Sequence, residues 1–300
     1  MAALLALVFI AATRIGSATS ASASTTHIRV VTYNTDCSLC DLSHEHGPSF
    51  AARASRERAV LTEINADIIF LEEPVDHHDI KAILPIDRKW TILFDNHTTI
   101  QDPDATIAVD ASRFNVVDWG FFWLGPHPSR AGSFDLFTLP RLAVWADLHE
   151  PVANASFVTM ATHFDHGDGT GKGIWPSTTN CVQAAREVAR MLRDNSKLAK
   201  RPLLFGGDLN SHTTSNAYAI LRNETILSDT WFKTSNHTIF ANSSEAAASY
   251  KKTIDHIFAT PDFDVLGAGS SVRAWPSTKK GAKDVPPSDH YPVFADVRLR

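Results

Sequence analysis

The sequence predicts an α/β domain in which two sheets are covered by helices, and three observations point there. First, the chain of 300 residues is 44% hydrophobic and only 20% charged. Disordered chains carry too little apolar surface to offset their ordering entropy, so this composition excludes one. A chain this long buries roughly three-quarters of its unfolded surface, enough for a full core. Second, runs of strand-like residues are mixed with only a few helical stretches, which favours two sheets over one doubly wound parallel sheet. Third, polar residues gather at the ends of the apolar runs, where a rigid scaffold projects side chains into a shared cleft.

The elements follow in order. His27 to Asn34 (HIRVVTYN) reads as a β-branched strand. Ser49 to Ala66 reads as a helix, with Phe50, Ala54, Ala59, Leu61 and Ile64 roughly on one side. Asp67 to Glu73 (DIIFLEE) is a short buried strand that Pro74 ends. Trp90–Asp95, Ala105–Asp110, Phe114–Leu124, Leu142–Leu148 and Phe157–His163 are further strands. Thr178 to Leu198 is a helix with Pro202 beyond it, and Leu203 to Asp208 is another buried strand. Ile254–Ala259, Val265–Val272 and Tyr291–Arg298 close the chain. No linker-like stretch and no repeat divides the sequence, so residues 25–300 are expected to form a single domain and a monomer.

Residues 1–24 read as a secretory signal peptide. Ala2 to Ala12 is apolar, and small polar residues follow, with cleavage expected between Ser17 and Ser24. The n-region is atypical, because Arg14 follows the apolar run rather than preceding it. The run is too short to cross a membrane, so no stable membrane anchor is expected. Asn96, Asn154, Asn223, Asn236 and Asn242 each start an Asn-X-Ser/Thr acceptor for N-linked glycans. Together these features describe a secreted, extracellular glycoprotein, or one of a vacuolar or lysosomal lumen. Three cysteines, Cys37, Cys40 and Cys181, imply one disulfide and a leftover thiol. Pairing of either Cys37 or Cys40 with Cys181 stays open.

The chemistry lies at the strand ends. Asn34 closes the first strand, Glu72 and Glu73 the second, and His163 a later one. Asp208 and Asn210 follow LLFGG, Asp255 sits in TIDHIFA, and Asp289-His290 precede the last strand. Carboxylates, amides and histidines almost without cysteine suit a hard, oxygen-preferring cation, Mg²⁺ or else Mn²⁺ or Ca²⁺.

The ordered series VTYN, DIIFLEE, ATHFDH, FGGDLNS, TIDHIFA and SDHYPVFAD resembles the endonuclease/exonuclease/phosphatase superfamily. Its members include deoxyribonuclease I, abasic-site endonucleases, neutral sphingomyelinases and inositol polyphosphate 5-phosphatases. The resemblance runs from Arg29 to Leu299, and GDLN followed by SDHYP is its most specific part. It implies a deoxyribonuclease I-like, four-layered α/β sandwich: two mostly antiparallel sheets face to face, with helices outside. It also implies a phosphoric ester hydrolase, a phosphodiesterase or endonuclease, that uses a divalent metal.

Carried over by position, Asn34, Glu73 and Asp289 match the metal-binding residues. His163, Asp208, Asn210, Asp255 and His290 match the catalytic ones. Glu72 stands where the family usually has Gln, which would place an extra carboxylate near the metal, although a solvated or supporting position is the commoner fate of such a residue. Arg141 in LPRLAV is a weaker match to a substrate contact, and Asp165 and His166 are minor candidates for the same role. A phosphodiester resists attack because its oxygens repel a nucleophile, so catalysis must neutralise charge and align water with the leaving oxygen. In that scheme Asp208 activates water, Asn210 donates to the phosphate or the water, and Asp255 holds His290. His163 donates to a phosphate oxygen. Which histidine is the general acid or base is left open.

Other motifs carry less. Gly167–Gly173 lacks the first Gly and the final Ser/Thr of a nucleotide-binding loop. His44, His46, His77 and His78 read as exposed loop residues, and the basic run Lys279–Lys283 as a solvated face near the site. The net charge of −5 argues against bulk binding of nucleic acid, which needs a basic face, but a bound cation leaves a nuclease open. The expected partner is a phosphodiester-containing substrate: nucleic acid, lipid head group or small molecule. For a lipid substrate Trp119–Leu124 is a candidate membrane-facing hairpin, though it reads better as a buried strand. A catalytically inactive binding module on this fold is the remaining alternative.

Overall fold

The computed structural model describes residues 26–38, 49–93, 105–134, 139–165, 178–241, 253–276 and 284–300. The predicted leader, His44, His46, Cys40, Asn96, His166, Asn242, the Gly167–Gly173 loop and the run from Lys279 to Lys283 lie outside the described residues.

In chain order the first elements are β1 (His27–Asn34), α1 (Phe50–Ile64), β2 (Ile68–Glu72), α2 (His77–Ile83), β3 (Trp90–Leu93) and β4 (Ala105–Asp110). β5 (Asn115–Trp123), β6 (Leu142–Glu150), β7 (Ala155–His163), α3 (Thr178–Asp194), β8 (Leu203–Asp208) and α4 (Asn216–Glu224) follow. β9 (Ser228–Asp229), β10 (His237–Ala241), β11 (Asp255–Ala259), β12 (Phe263–Val272) and β13 (Val293–Leu299) complete the chain. They form a seven-stranded sheet, β10-β12-β13-β1-β2-β4-β3, and a six-stranded sheet, β5-β6-β7-β8-β11-β9. The pairs β1–β2, β7–β8 and β10–β12 are parallel and the others antiparallel. Two mostly antiparallel sheets are thus what the motif series implies.

Period-two alternation builds the layers. Ile28 and Val30 of β1 and Ile68 and Phe70 of β2 face the other sheet, meeting Ala161, Leu204 and Ile257. The intervening Val31, Tyr33, Ile69 and Leu71 face outward beneath Val60, Leu61 and Ile64 of α1 and Ile80 and Ile83 of α2. On the second sheet Val158, Met160, Phe205 and Phe258 pack against Ala184, Ala185 and Val188 of α3 and Tyr218 and Leu221 of α4. Helix, sheet, sheet and helix make four layers. The rows that face inward end in polar residues at one end of the sandwich: Asn34, Glu72, His163, Asp208 and Asp255 continue the same parity.

Several elements differ from the sequence reading. His77 and His78 open α2 rather than a loop, because Asp76 caps that helix, accepting from the backbone N–H of His78 (2.7 Å) and Asp79 (2.9 Å). α4, capped by Ser215, and the short edge strands β9 and β10 were not anticipated. Seven to nine residues hold too few turns for periodicity to stand out. The apolar run at Trp119 is only half buried: β5 is an edge strand, with Phe122 and Trp123 buried but Trp119 43% exposed. Cys181 of α3 is buried and carries no disulfide, its thiol donating to the Asp165 carbonyl at 3.1 Å. Both pairings that would have engaged it are therefore corrected. Burial pushes its pKa up to about 12. Asn154, Asn223 and Asn236 are all exposed.

Candidate active site

Strand register assembles the site. Parallel β7 and β8 set His163 beside Asp208, and antiparallel β8 and β11 set Asp255 on the other side of Asp208. Parallel β1 and β2 set Asn34 beside Glu72. The close approach of β8 to β7 depends on Gly207. Its φ is +145°, and a Cβ there would lie 1.8 Å from the Thr162 carbonyl oxygen, so only glycine fits. Glu73 and Asn210 leave their strand ends in the left-handed region, with φ of 64° and 44°.

Asn34 joins the sheets. Its Nδ2 donates to Glu73 Oε1 and to Asp208 Oδ2, both at 3.0 Å. Its Oδ1 accepts from the backbone N–H of Asp36 at 3.0 Å. The amide therefore turns its hydrogens toward the two carboxylates. Asp208 Oδ1 accepts from the Asn210 backbone N–H at 2.8 Å. Asp289 is exposed at the rim, next to Ser288, whose hydroxyl donates to the Asn34 carbonyl at 2.8 Å.

His290 is set among carboxylates. Its Nδ1 lies 3.1 and 3.0 Å from the two oxygens of Asp255, and its Nε2 lies 3.6 Å from Asp208 Oδ2. Burial opposes the imidazolium, but attraction to Asp255 and Asp208 prevails and raises the pKa to about 11.

His163 is set among donors. Arg141 Nη1 is 2.9 Å from Nδ1, and Asn210 Nδ2 is 3.2 Å from Nε2. A guanidinium only donates, so Nδ1 is the acceptor, the proton sits on Nε2, and the Asn210 amide nitrogen beside Nε2 is a packing contact rather than a hydrogen bond. That Nε2 points toward Asp208 Oδ2 (3.5 Å) and Glu73 Oε1 (3.8 Å), while the Asn210 amide donates to the Phe164 carbonyl at 3.0 Å. Arg141 is itself buried and donates to His163. Asp165 is likewise buried and accepts from Asn180 of α3 at 2.7 Å.

Glu72 is fully buried rather than solvated. Both its oxygens accept from the Thr32 hydroxyl, at 3.0 and 3.1 Å. Burial, then repulsion by Asp255 and Asp208, holds its pKa well above the usual carboxylate range, so the neutral form stands where the family usually has the neutral Gln.

Oxygen-rich donors crowd this end. One ligand atom each from Asp208, Asp255 and His290 lie within 4.8 Å of one another, and Glu73 stands across Asn34. Carboxylates this close repel one another, and hard oxygen donors fit a hard divalent cation. Of that close trio, His290 as an imidazolium offers no lone pair, so the carboxylates of Asp208 and Asp255, with Glu73 across Asn34 and Asp289 at the rim, are the groups that could hold a cation.

Two supports escaped the sequence reading. His256 is fully buried between the Asp229 carboxylate (3.2 Å) and the Ser211 carbonyl (3.0 Å), bracing the turn that carries Asp208 and Asn210. The signal was available, since His256 adjoins Asp255 and alternation sends it to the opposite face. Arg53 of α1 grips the loop after Asn34. Nothing marked it beyond being an arginine on a helix.

A family model described as "Endonuclease/Exonuclease/phosphatase family" matches residues 31–290. The chain belongs to that family. A search of curated protein sequences gives no match. Among solved structures, an endonuclease/exonuclease/phosphatase family protein from Bacteroides thetaiotaomicron superposes with a TM-score of 0.74 at 22% identity, covering 92% of this chain and 99% of that one. A mannosyl-6-phosphatase from the same species gives 0.71 at 23% identity, covering 90% and 99%. The human nocturnin catalytic domain gives 0.63 at 17%, covering 92% and 97%. These likenesses show the shared fold. Enzymes of this family hydrolyse phosphoester bonds and generally use divalent metals. Among the described residues, no helix is long and apolar enough to cross a membrane.

Proposed function

We propose that the chain is a secreted, divalent-metal-dependent phosphoesterase that hydrolyses a phosphodiester by in-line attack of water. The observation that carries this reading is the position of Asp208, whose Oδ2 lies within 3.6 Å of both histidine Nε2 atoms and 3.0 Å from Asn34. Glu73 would hold the cation, with Asp289 at the rim. A bound cation would supply neutralising charge for the phosphate oxygens. Asp208 takes the proton of the attacking water. The His163 Nε2–H donates to a phosphate oxygen and strengthens as charge builds there. The His290 imidazolium, oriented by Asp255, donates toward the oxygen that develops charge as the ester bond breaks. Asn210 donates to the Phe164 carbonyl beside His163.

The test is hydrolysis of bis-p-nitrophenyl phosphate by the pure protein with Mg²⁺, Mn²⁺ or Ca²⁺. Metal-dependent turnover that EDTA abolishes is expected. No turnover with any of the three cations, or full turnover by an Asp208→Ala/His290→Ala variant, would overturn the reading in favour of a binding module. Activity confined to p-nitrophenyl phosphate would replace the diester by a monoester. A panel of DNA, RNA, sphingomyelin and nucleotides then assigns the substrate class.

Secretion rests on the leader-like N-terminal sequence, on exposed acceptor asparagines 154, 223 and 236, and on the disulfide-bonded state of Cys37, which belongs to oxidising compartments. Expression in a eukaryotic secretory host should deliver the chain to the medium without residues 1–24 and with a mass that falls on glycosidase treatment. Retention of an unprocessed, unglycosylated chain in the cytosol would refute it.

A further inference from the structure

We infer that Arg53 is a positioning residue for the cation-binding carboxylate Glu73, acting through two consecutive peptide groups. Arg53 lies on α1 and is 1% exposed. Its Nη1 donates to the Thr35 carbonyl, and its Nη2 to the carbonyls of Asp36 and, at 3.3 Å, Cys37. The other ends of the same peptide groups face the site. The peptide whose oxygen belongs to Thr35 has its N–H on Asp36, and that N–H donates to Asn34 Oδ1 at 3.0 Å. The peptide whose oxygen belongs to Asp36 has its N–H on Cys37, and that N–H donates to Glu73 Oε2 at 3.3 Å.

A trans peptide is planar, so fixing its oxygen fixes the direction of its N–H. The guanidinium holds two such planes at once and polarises both bonds. One plane turns the Asn34 amide so that its Nδ2 meets Glu73 Oε1 and Asp208 Oδ2. The other holds the second oxygen of Glu73 itself. Asp36 sits at φ 50° and Glu73 at φ 64°, conformations that cost free energy and persist only under such restraint. The clamp is internally balanced: Arg53 Nη1 also lies 3.0 Å from Glu57 Oε1 and 3.8 Å from Asp36 Oδ2. Supports of this kind commonly hold about 10–100-fold of metal affinity.

This inference rests on the metal-dependent reading above, and its test separates the two. Mn²⁺ binding is measured by calorimetry on the wild-type chain and on Arg53→Lys, which keeps the buried charge but cannot span consecutive carbonyls. The expected result is binding weakened about tenfold or more, with circular dichroism unchanged and turnover at saturating Mn²⁺ close to wild type. Equal Mn²⁺ affinity in a folded Arg53→Lys variant overturns the clamp and leaves the phosphoesterase reading intact. Absence of Mn²⁺ binding by the wild-type chain overturns both. Hydrogen exchange on the wild-type chain gives a second measurement that needs no variant to fold. The amides of Asp36 and Cys37 should be protected without metal and gain little from Mn²⁺. Free exchange of both until Mn²⁺ is added would show that the cation, not Arg53, orders the loop.

Discussion

The two histidines at the end of the sandwich occupy opposite electrostatic surroundings. His163 is wholly buried between an arginine and an amide, whereas His290 keeps 16% of its side chain exposed and is ringed by Asp255, Asp208 and Asp289. One is fixed as a neutral ring with its proton on Nε2; the other is driven toward the imidazolium. Asp208 lies between them, 3.5 Å from one and 3.6 Å from the other. Two identical side chains can thus take different parts in one reaction, as an uncharged donor and a cationic one, because neighbours rather than residue type decide. The same comparison singles out Asp208, which faces both rings.

The largest effect should come from removing what the two halves share. Asp208→Ala is expected to lower kcat by about 10⁴-fold, and His290→Ala by about 10³-fold, within the range that positioned acid–base groups supply. Steady-state kinetics with bis-p-nitrophenyl phosphate at saturating Mg²⁺ would check both. Activity of Asp208→Ala within about tenfold of wild type would remove it from the centre of the site.

The cationic half is tested by its counter-charge. In metal-free protein the folded-state pKa of His290 stands at about 11, raised from 6.5. Its protonation therefore stabilises the fold fully below pH 6.5, and this contribution is lost as pH rises from 6.5 toward 11. Asp255→Asn removes the nearest attraction and leaves Asp208 and Asp289 alone against burial, so the His290 titration should move downward. The alkaline loss of stability should begin at lower pH. NMR titration of His290 in EDTA, with melting temperature followed against pH, reads both. A titration unchanged by Asp255→Asn would mean that Asp208 alone sets the charge.

Much of this was legible in the sequence because strands have period two. Once HIRVVTYN and LLFGGD are read as strands, Asn34 and Asp208 fall on the same inward parity as the core residues before them, and motif order brings them to one end. The supports were not legible. Arg53 acts through backbone carbonyls, which any sequence possesses, and only the path of the chain brings residues 35–37 beneath it. Arg141 was visible as a charged residue before a strand, but whether it faces substrate or His163 depends on burial. Glu72 shows the limit most plainly. A carboxylate beside a metal ligand reads as added charge, whereas neighbours on β1 and β11 decide whether it ionises.

The donor half yields a subtler contrast. Arg141→Met should lower kcat by about 10–100-fold with little change in KM, because the freed Nδ1 lets the ring adopt the other tautomer and turn its lone pair toward the phosphate. Arg141→Gln retains an N–H that can reach Nδ1 and should recover part of that loss. Equal defects in the two variants would reduce Arg141 to packing. A rise in KM alone would return it to the substrate-contact role.

The smallest effect belongs to Glu72→Gln, and its smallness is the point. If Glu72 were a charged member of the metal environment, the substitution would remove a negative charge next to Glu73 and alter the ratio of activities with Mg²⁺ and Mn²⁺. The structure instead buries the carboxyl completely against Thr32, where burial and the repulsion of Asp255 and Asp208 favour its neutral form. A protonated carboxyl and a carboxamide have nearly the same shape, and both can accept the Thr32 hydroxyl and donate a hydrogen. Turnover within about threefold of wild type, an unchanged Mg²⁺/Mn²⁺ ratio and a stability change within about 0.5 kcal/mol are expected. Parallel assays with the two metals and a urea titration would measure all three. A changed metal ratio would show that Glu72 is ionised and would shift the charge balance on which the His163–His290 contrast depends.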